Sequence, residues 1–167
     1  MNYVSSHNEL KNWMPKSMDF YSTNRNYDVA GKQTTSRLSS AISSGIIKES
    51  DIIRSLNEYG VASSNKFLEE VFWRIYFRGY FETHPSIWQS YKESLIADKQ
   101  SKGGEYQNAI DANTGIECFD DWLRDLYKTG YLHNHTRMWF ASIWIFTLKL
   151  PWELGCDLFM RYLSDAD

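Results

Sequence analysis

Between Asn65 and Phe81 the apolar residues Phe67, Leu68, Val71, Phe72, Ile75 and Tyr76 recur at spacings of three and four, a wide stripe that an α-helix gathers onto one side. Pro85 bounds the segment, since the residue before a proline is pushed out of the helical region. The same period runs through most of the chain. From Thr35 onwards Leu38, Ile42 and Ile46 share a helical face, with Gly45 as punctuation. Ser50 is placed to cap a second helix carrying Ile52, Ile53, Leu56 and Tyr59 before Gly60. Further helices are predicted over Ile87–Ala97, Phe119–Lys128 with a stop at Gly130, Thr136–Leu148 and Pro151–Leu163, where Pro151 suits the first helical position. The stretch Lys99–Asn113, rich in Lys, Gly, Ser and Asn, is predicted as a loop. No segment alternates with a period of two, so the expected fold class is all-α. The first thirty residues are polar and irregular, with Pro15 and only a short helix around Glu9–Met14. They form a polar arm before one helical domain over residues 31–167.

The chain has 167 residues, 43% of them hydrophobic, which is enough to bury a core. Aromatic residues make up 16%, with seven Trp and eleven Tyr; this excess suits either a bulky core or a surface that stacks a planar ligand. A net charge of −3 argues against wholesale phosphate-driven binding to nucleic acid and leaves room for a local basic groove. Cys118 and Cys156 are too few for a disulfide framework and lack metal-ligand spacing, so they are expected to be buried free thiols. Residues Met1–Glu9 contain no basic stretch followed by an apolar run. The longest apolar run, Met138–Leu148, is too short to span a bilayer. The expectation is a soluble, cytoplasmic protein with no membrane partner.

Three clusters carry chemistry. On the central helix Glu70, Trp73, Arg74 and Phe77 stand three and four residues apart, which places a carboxylate, an indole and a guanidinium on one face. They form either an intrahelical Glu70–Arg74 ion pair with Trp73 in the core, or a wall on which a base stacks and hydrogen-bonds. The segment Thr34–Ser39 (TTSRLS) sets hydroxyls and an arginine at a helix start, an arrangement that serves as a cap or as a cradle for phosphates. In Gly130–Met138 (GYLHNHTRM), Asn134 and Arg137 lie one turn apart, with His133 and His135 beside them. The two histidines have the spacing of a strand metal pair but lack a third ligand, so no metal is expected. Arg137 heads a strongly apolar helix and needs a buried carboxylate; Asp165 and Asp167 are the candidates.

Taken in order, these pieces resemble the DNA photolyase and cryptochrome family over nearly the whole chain. The matching elements are Tyr21 with Arg25, Thr35–Ser39, Glu70–Arg74 (EVFWR), Thr114 with Gly115, and Asp120. They continue through Gly130–Met138, Ala141–Trp144, Pro151–Gly155 (PWELG) and the terminal Asp165-Ala166-Asp167. The resemblance implies the family's all-helical FAD-binding domain. It also implies that Tyr21, Thr35, Ser36, Arg37, Leu38 and Ser39 hold the cofactor's phosphates and that Arg74 is a further cofactor contact. By the same resemblance Asn134 lies near flavin and adenine, Arg137 pairs with an aspartate beside the flavin ring, and Asp165 and Asp167 sit at ring edge and ribose. Glu70, Trp73, Asn134 and Met138 would line the catalytic cavity that receives a pyrimidine dimer flipped out of damaged DNA, with Arg25 as a DNA phosphate contact.

Departures from the family pattern shape the expectations further. Tyr21 falls near the start of the chain, so the domain that carries the antenna pigment is not expected, nor is that pigment. The family continues beyond the position of Asp167 through helices that close the flavin pocket. Of the family's electron-transfer chain Trp152 is present, Lys99 stands in the outermost place, and flavin photoreduction by that route is expected to fail. His135 stands where many members have arginine, and Tyr131 where many have tryptophan.

Three functional expectations follow. The chain is a minimal or split light-dependent repair enzyme that binds FAD and acts on pyrimidine dimers, completed by a second chain that supplies the further helices. Alternatively it is a non-catalytic module derived from a photolyase, which holds flavin, another planar ligand or a partner protein. The third is a folded relic that forms a homodimer over exposed apolar surface.

Overall fold

The helical period governs the architecture: among the described residues every regular element is a helix and no strand occurs. The computed structural model describes residues 8, 12, 20–29, 34–60, 65–100 and 103–166. The chain's contacts group it into two units, Met1–Thr83 and His84–Asp167.

In the first unit, helices α1 (Ser39–Ser43), α2 (Glu49–Glu58) and α3 (Lys66–Thr83) follow one another. Leu38, Ala41, Ile42, Ile47, Ile52, Leu56, Phe67, Leu68 and Val71 form one core. The predicted arm is not wholly irregular. Residues 20–24 are helical, and Tyr21 sets its ring edge-on against Phe67, 5.2 Å between centroids. The helix predicted around Glu9–Met14 falls largely outside the described residues. Helix α2 begins after Lys48, not Ser50: the Lys48 amide donates to the Asp51 carboxylate at 3.4 Å, so an acid in the first turn serves the helix start.

The apolar stripe of α3 is buried only over its first turns. Phe67, Leu68 and Val71 are in the core, whereas Phe72, Ile75 and Tyr76 are 51%, 42% and 58% exposed. The reason is length. Eighteen residues extend about 27 Å, while the five of α1 and ten of α2 extend about 8 and 15 Å, so the neighbours within this unit run out before α3 does.

The second unit contains α4 (Pro85–Gln100), α5 (Gly104–Ile110), α6 (Glu117–Thr129), α7 (Asn134–Ser142), a π-helical turn (Ile143–Thr147) and α8 (Trp152–Tyr162). Its core joins Phe119, Leu123 and Leu126 of α6 to Phe140, Trp144, Leu154 and Leu158. Phe119 and Phe140 stack at 4.2 Å. Gly130 ends α6 in the left-handed conformation at φ 67°, its amide bonded to the Leu126 carbonyl at 2.8 Å, as a glycine after a last turn does.

Four sequence expectations are corrected in this unit. The predicted loop Lys99–Asn113 contains α5, whose Ala109 is fully buried and whose Tyr106 and Ile110 pack on the core. The helix predicted to run regularly to Leu148 changes at Ile143 into a π turn, with the Leu148 amide donating five residues back to Ile143 at 2.9 Å. The buried Trp144 accompanies this change, since its indole N–H donates to the Pro151 carbonyl at 2.8 Å. Pro151 caps α8 from outside with an extended ψ of 134° and is not its first helical residue. Cys118 and Cys156 are in no disulfide, but the expected burial fails: Cys118 is exposed and Cys156 half-buried. No described helix is long and apolar enough to cross a membrane.

Gly155 marks a close approach. A Cβ built there would lie 3.1–3.3 Å from the Trp144 indole, a buried ring that has nowhere to go. Gly155→Ala is expected to cost about 1–3 kcal/mol, read as a lower thermal midpoint; an unchanged midpoint would contradict this packing.

Candidate functional site

In the first unit, of the two arrangements open to this helix face, the intrahelical Glu70–Arg74 ion pair does not form, and each side chain takes a distant partner. Glu70 accepts from Arg25 at 3.1 Å, with Lys66 at 3.8 Å. Arg74 donates through Nε to Glu49 at 3.2 Å and through Nη2 to the Ser43 hydroxyl at 3.1 Å. Trp73 is not in the core: it is 54% exposed, stacked on Phe77 at 5.9 Å. Arg25, expected on the DNA side, therefore stands against Glu70, expected in the dimer cavity.

Thr35, Ser36 and Ser39 are half-buried and Arg37 is exposed. Arg37 has φ 54°, a conformation costly for a side-chain-bearing residue and found where surroundings impose it. Leu38 is fully buried, so only its backbone can face a ligand. Its amide donates to the Ser36 hydroxyl at 3.4 Å, which turns the segment into α1.

In the second unit the guanidinium of Arg137 meets Asp165 through two bonds, Nη2 to Oδ2 at 2.8 Å and Nη1 to Oδ1 at 3.1 Å. Its Nε donates to the Leu132 carbonyl at 3.0 Å. Both side chains are nearly buried, with 13% and 4% exposure, so this fork-to-fork contact is protected from solvent. Of the two carboxylates anticipated for Arg137, Asp165 is a partner; Asp167 lies outside the described residues. Asn134 opens α7 and is exposed, and Met138 is 61% exposed on the same helix. His133 caps α7, its Nδ1 accepting the His135 amide at 3.2 Å. The two histidines therefore belong to a helix start and not to a strand. No cluster of three or more His, Cys, Asp or Glu suited to a metal occurs among the described residues.

Two features escaped the sequence reading. Glu49 has no local spacing signal, because its partner Arg74 is 25 residues away. Asp120, matched as a motif residue without a role, is 5% exposed and accepts from the Thr114 amide and hydroxyl and from the Gly115 amide at 2.8–3.2 Å. It fixes the turn that enters α6.

Trp152, half-exposed at the start of α8, lies 5.7 Å from Tyr91, which stacks on Trp88 at 5.2 Å. Burial, and then the neighbouring Cys156 thiol, push the Tyr91 phenol upward. The side chain of Lys99 lies outside the described residues.

Comparison with known proteins agrees with this fold. Residues 67–167 match the family described as the FAD binding domain of DNA photolyase. The chain is 30% identical over 148 residues to the deoxyribodipyrimidine photo-lyase of Escherichia coli, covering 84% of this chain and 31% of that protein. It is 32% identical over 120 residues to Cryptochrome-1 of Arabidopsis thaliana, covering 66% and 17%. Among solved structures, a Synechocystis cryptochrome superposes with a TM-score of 0.80 at 22% identity, covering 98% of this chain and 36% of the other. A bacterial class III photolyase from Agrobacterium tumefaciens gives 0.78 at 24%, covering 99% and 35%. At those identities the superpositions show the fold alone. The chain spans about a third or less of the length of these curated relatives.

Proposed function

The chain belongs to the family of the FAD-binding domain of DNA photolyase, and from that premise we propose that it binds FAD and takes part in light-dependent splitting of pyrimidine dimers. The observation that carries the flavin reading is the Arg137–Asp165 pair beside Asn134. Two ions taken out of water are costly unless geometry is near ideal, and here three bonds hold the guanidinium rigidly at the start of α7. A fixed, neutralised donor–acceptor pair of this kind suits the edge of a polar heteroaromatic ring.

The donor set of the first unit suits the rest of a dinucleotide. Thr35, Ser36 and Ser39 bring hydroxyls to the segment before α1, and Arg74 brings a cation to Ser43 at its end. Tyr21 and the exposed Arg37 complete the set, with Leu38 contributing backbone only. Asp167 would join Asp165 at the cofactor. When bound and reduced, the flavin supplies the photoexcited electron; the chain's residues hold it, orient it and keep water away.

For the substrate, the exposed Trp73 offers a face on which an extruded base stacks, and Glu70 offers an acceptor for its edge. Asn134 and Met138 also serve the substrate in this reading, and Arg25 meets the DNA backbone. A second chain, or a second copy of this one, covers the exposed aromatic face of α3. A second reading, a flavin-holding module without repair activity, is favoured by one contact: the Glu70 carboxylate is engaged by Arg25 at 3.1 Å, which competes with a base for it.

Titration of the purified protein with FAD is expected to quench flavin fluorescence to saturation. A colourless protein that takes up no added FAD would falsify the flavin reading. Repair is checked separately, by illuminating reduced, FAD-loaded protein with an oligonucleotide containing a thymine dimer, alone and with a candidate second chain. Dimers left intact in every arm, with FAD bound, select the non-catalytic module.

A further inference from the structure

One carboxylate stands against both arginines of the exposed part of α3. Glu49, the first residue of α2, lies 3.2 Å from Arg74 Nε and 3.8 Å from Arg78 Nη1, with its side chain 17% exposed. Arg78 is also 3.4 Å from Glu82. Two cations thus face two carboxylates, and the corner is close to neutral. Ser43, which takes the other bond from Arg74, closes α1 four residues after Ser39, about 6 Å along the axis. The guanidinium therefore stands at the end of the hydroxyl-bearing segment, with its Nε edge already occupied.

We infer that Glu49 sets the affinity of this corner for a phosphate-bearing ligand by competing with the phosphate for Arg74. The inference rests on the reading above, in which Thr35–Ser39 hold the dinucleotide's phosphates and Arg74 is a further cofactor contact. A single partly exposed Nε–carboxylate bond is weak, so it yields to a phosphate that takes two N–H groups at once. Even after the phosphate binds, the charge of Glu49 remains a few ångströms away and opposes it. Neither Arg74's place in the motif nor the helical spacing reveals this, because Glu49 arrives from another helix.

Glu49→Gln keeps an oxygen to accept from Arg74 Nε and removes the charge. FAD and inorganic pyrophosphate are each titrated into wild type, Glu49→Gln, Ser43→Ala, and Glu49→Gln with Arg74→Ala, at two salt concentrations. Glu49→Gln is expected to bind both ligands roughly three- to tenfold tighter, with a steeper loss of affinity on adding salt. Ser43→Ala, which changes a bond but no charge, is expected to stay within about twofold of wild type, and removing Arg74 to abolish the gain. If Glu49→Gln binds FAD no tighter than wild type does, the inference is overturned while the flavin reading stands. If pyrophosphate binds and gains but FAD binds nowhere, the competition holds and the flavin reading falls. If neither ligand binds any variant, both are wrong.

Discussion

Arg137→Ala is expected to destabilise the second unit strongly. The substitution leaves the Asp165 carboxylate, 4% exposed, without its two guanidinium bonds, and strips the Leu132 carbonyl of its donor. Removing one partner of a buried ion pair costs about 3–5 kcal/mol. In a unit of this size each kcal/mol shifts the thermal midpoint by about 4–8 °C, so the fall should be at least about 12 °C. Circular dichroism during heating reads it. The cause is separable from loss of packing: Arg137→Met with Asp165→Leu removes both charges and should recover most of the lost stability. A midpoint for Arg137→Ala within about 4 °C of wild type would mean that Asp165 is far more solvated than its burial indicates.

The second large effect is expected at Asp120. Its carboxylate accepts from Thr114 twice and from Gly115, and lies in the first turn of α6, where the helix dipole favours negative charge. Asp120→Ala leaves those donors unpaired in a partly buried turn, and hydrogen bonds to a charged group are worth about 1.5–3 kcal/mol each. Because water can reach Gly115, the net loss should be about 3 kcal/mol, with amide exchange of Thr114 and Gly115 rising before global unfolding. Asp120→Asn keeps one acceptor and should lose about half as much. Arg124 supports the same turn through the Ala112 carbonyl at 2.9 Å, so its removal in the Asp120→Ala background should add to the damage. Exchange rates at Thr114 and Gly115 that do not change would remove Asp120 from this role.

The aromatic excess divides between a core and an open helix face. Phe119, Phe140 and Trp144 are core, whereas Trp73, Tyr76 and Phe77 form an exposed set of neighbouring rings on α3. Composition alone could not divide them, because a ring's burial depends on what is packed beside it. The same ignorance explains why α3 was read as central: its stripe is continuous in sequence, but its cover within the first unit is not. Helix α5 was missed for the opposite reason. Its signal at Tyr106, Ala109 and Ile110 is present, but the flanking Gly103-Gly104 and polar neighbours obscured it.

The candidate site was legible as a set of residue types and not as a set of contacts. Resemblance named Glu70, Arg74, Arg25 and Arg137, and physical reasoning required a carboxylate for Arg137 because that cation heads an apolar helix. It could not foresee that Glu70 would turn to Arg25 and Arg74 to Glu49. At a spacing of four on one helix, Glu70 and Arg74 are natural partners, yet such a pair is worth only about 0.2–0.5 kcal/mol. A bond to a residue brought in by packing outweighs it easily.

By itself the sequence determined most of the helices, their approximate ends and the family, because hydrophobic period, glycine stops and ordered motifs act over a few residues and survive without knowledge of neighbours. Only the tertiary structure decided which aromatic faces stay open, where the π turn falls, and which carboxylate each arginine holds. Those outcomes turn on separations of 3–4 Å between side chains 25 or 28 residues apart, and no local rule carries that distance.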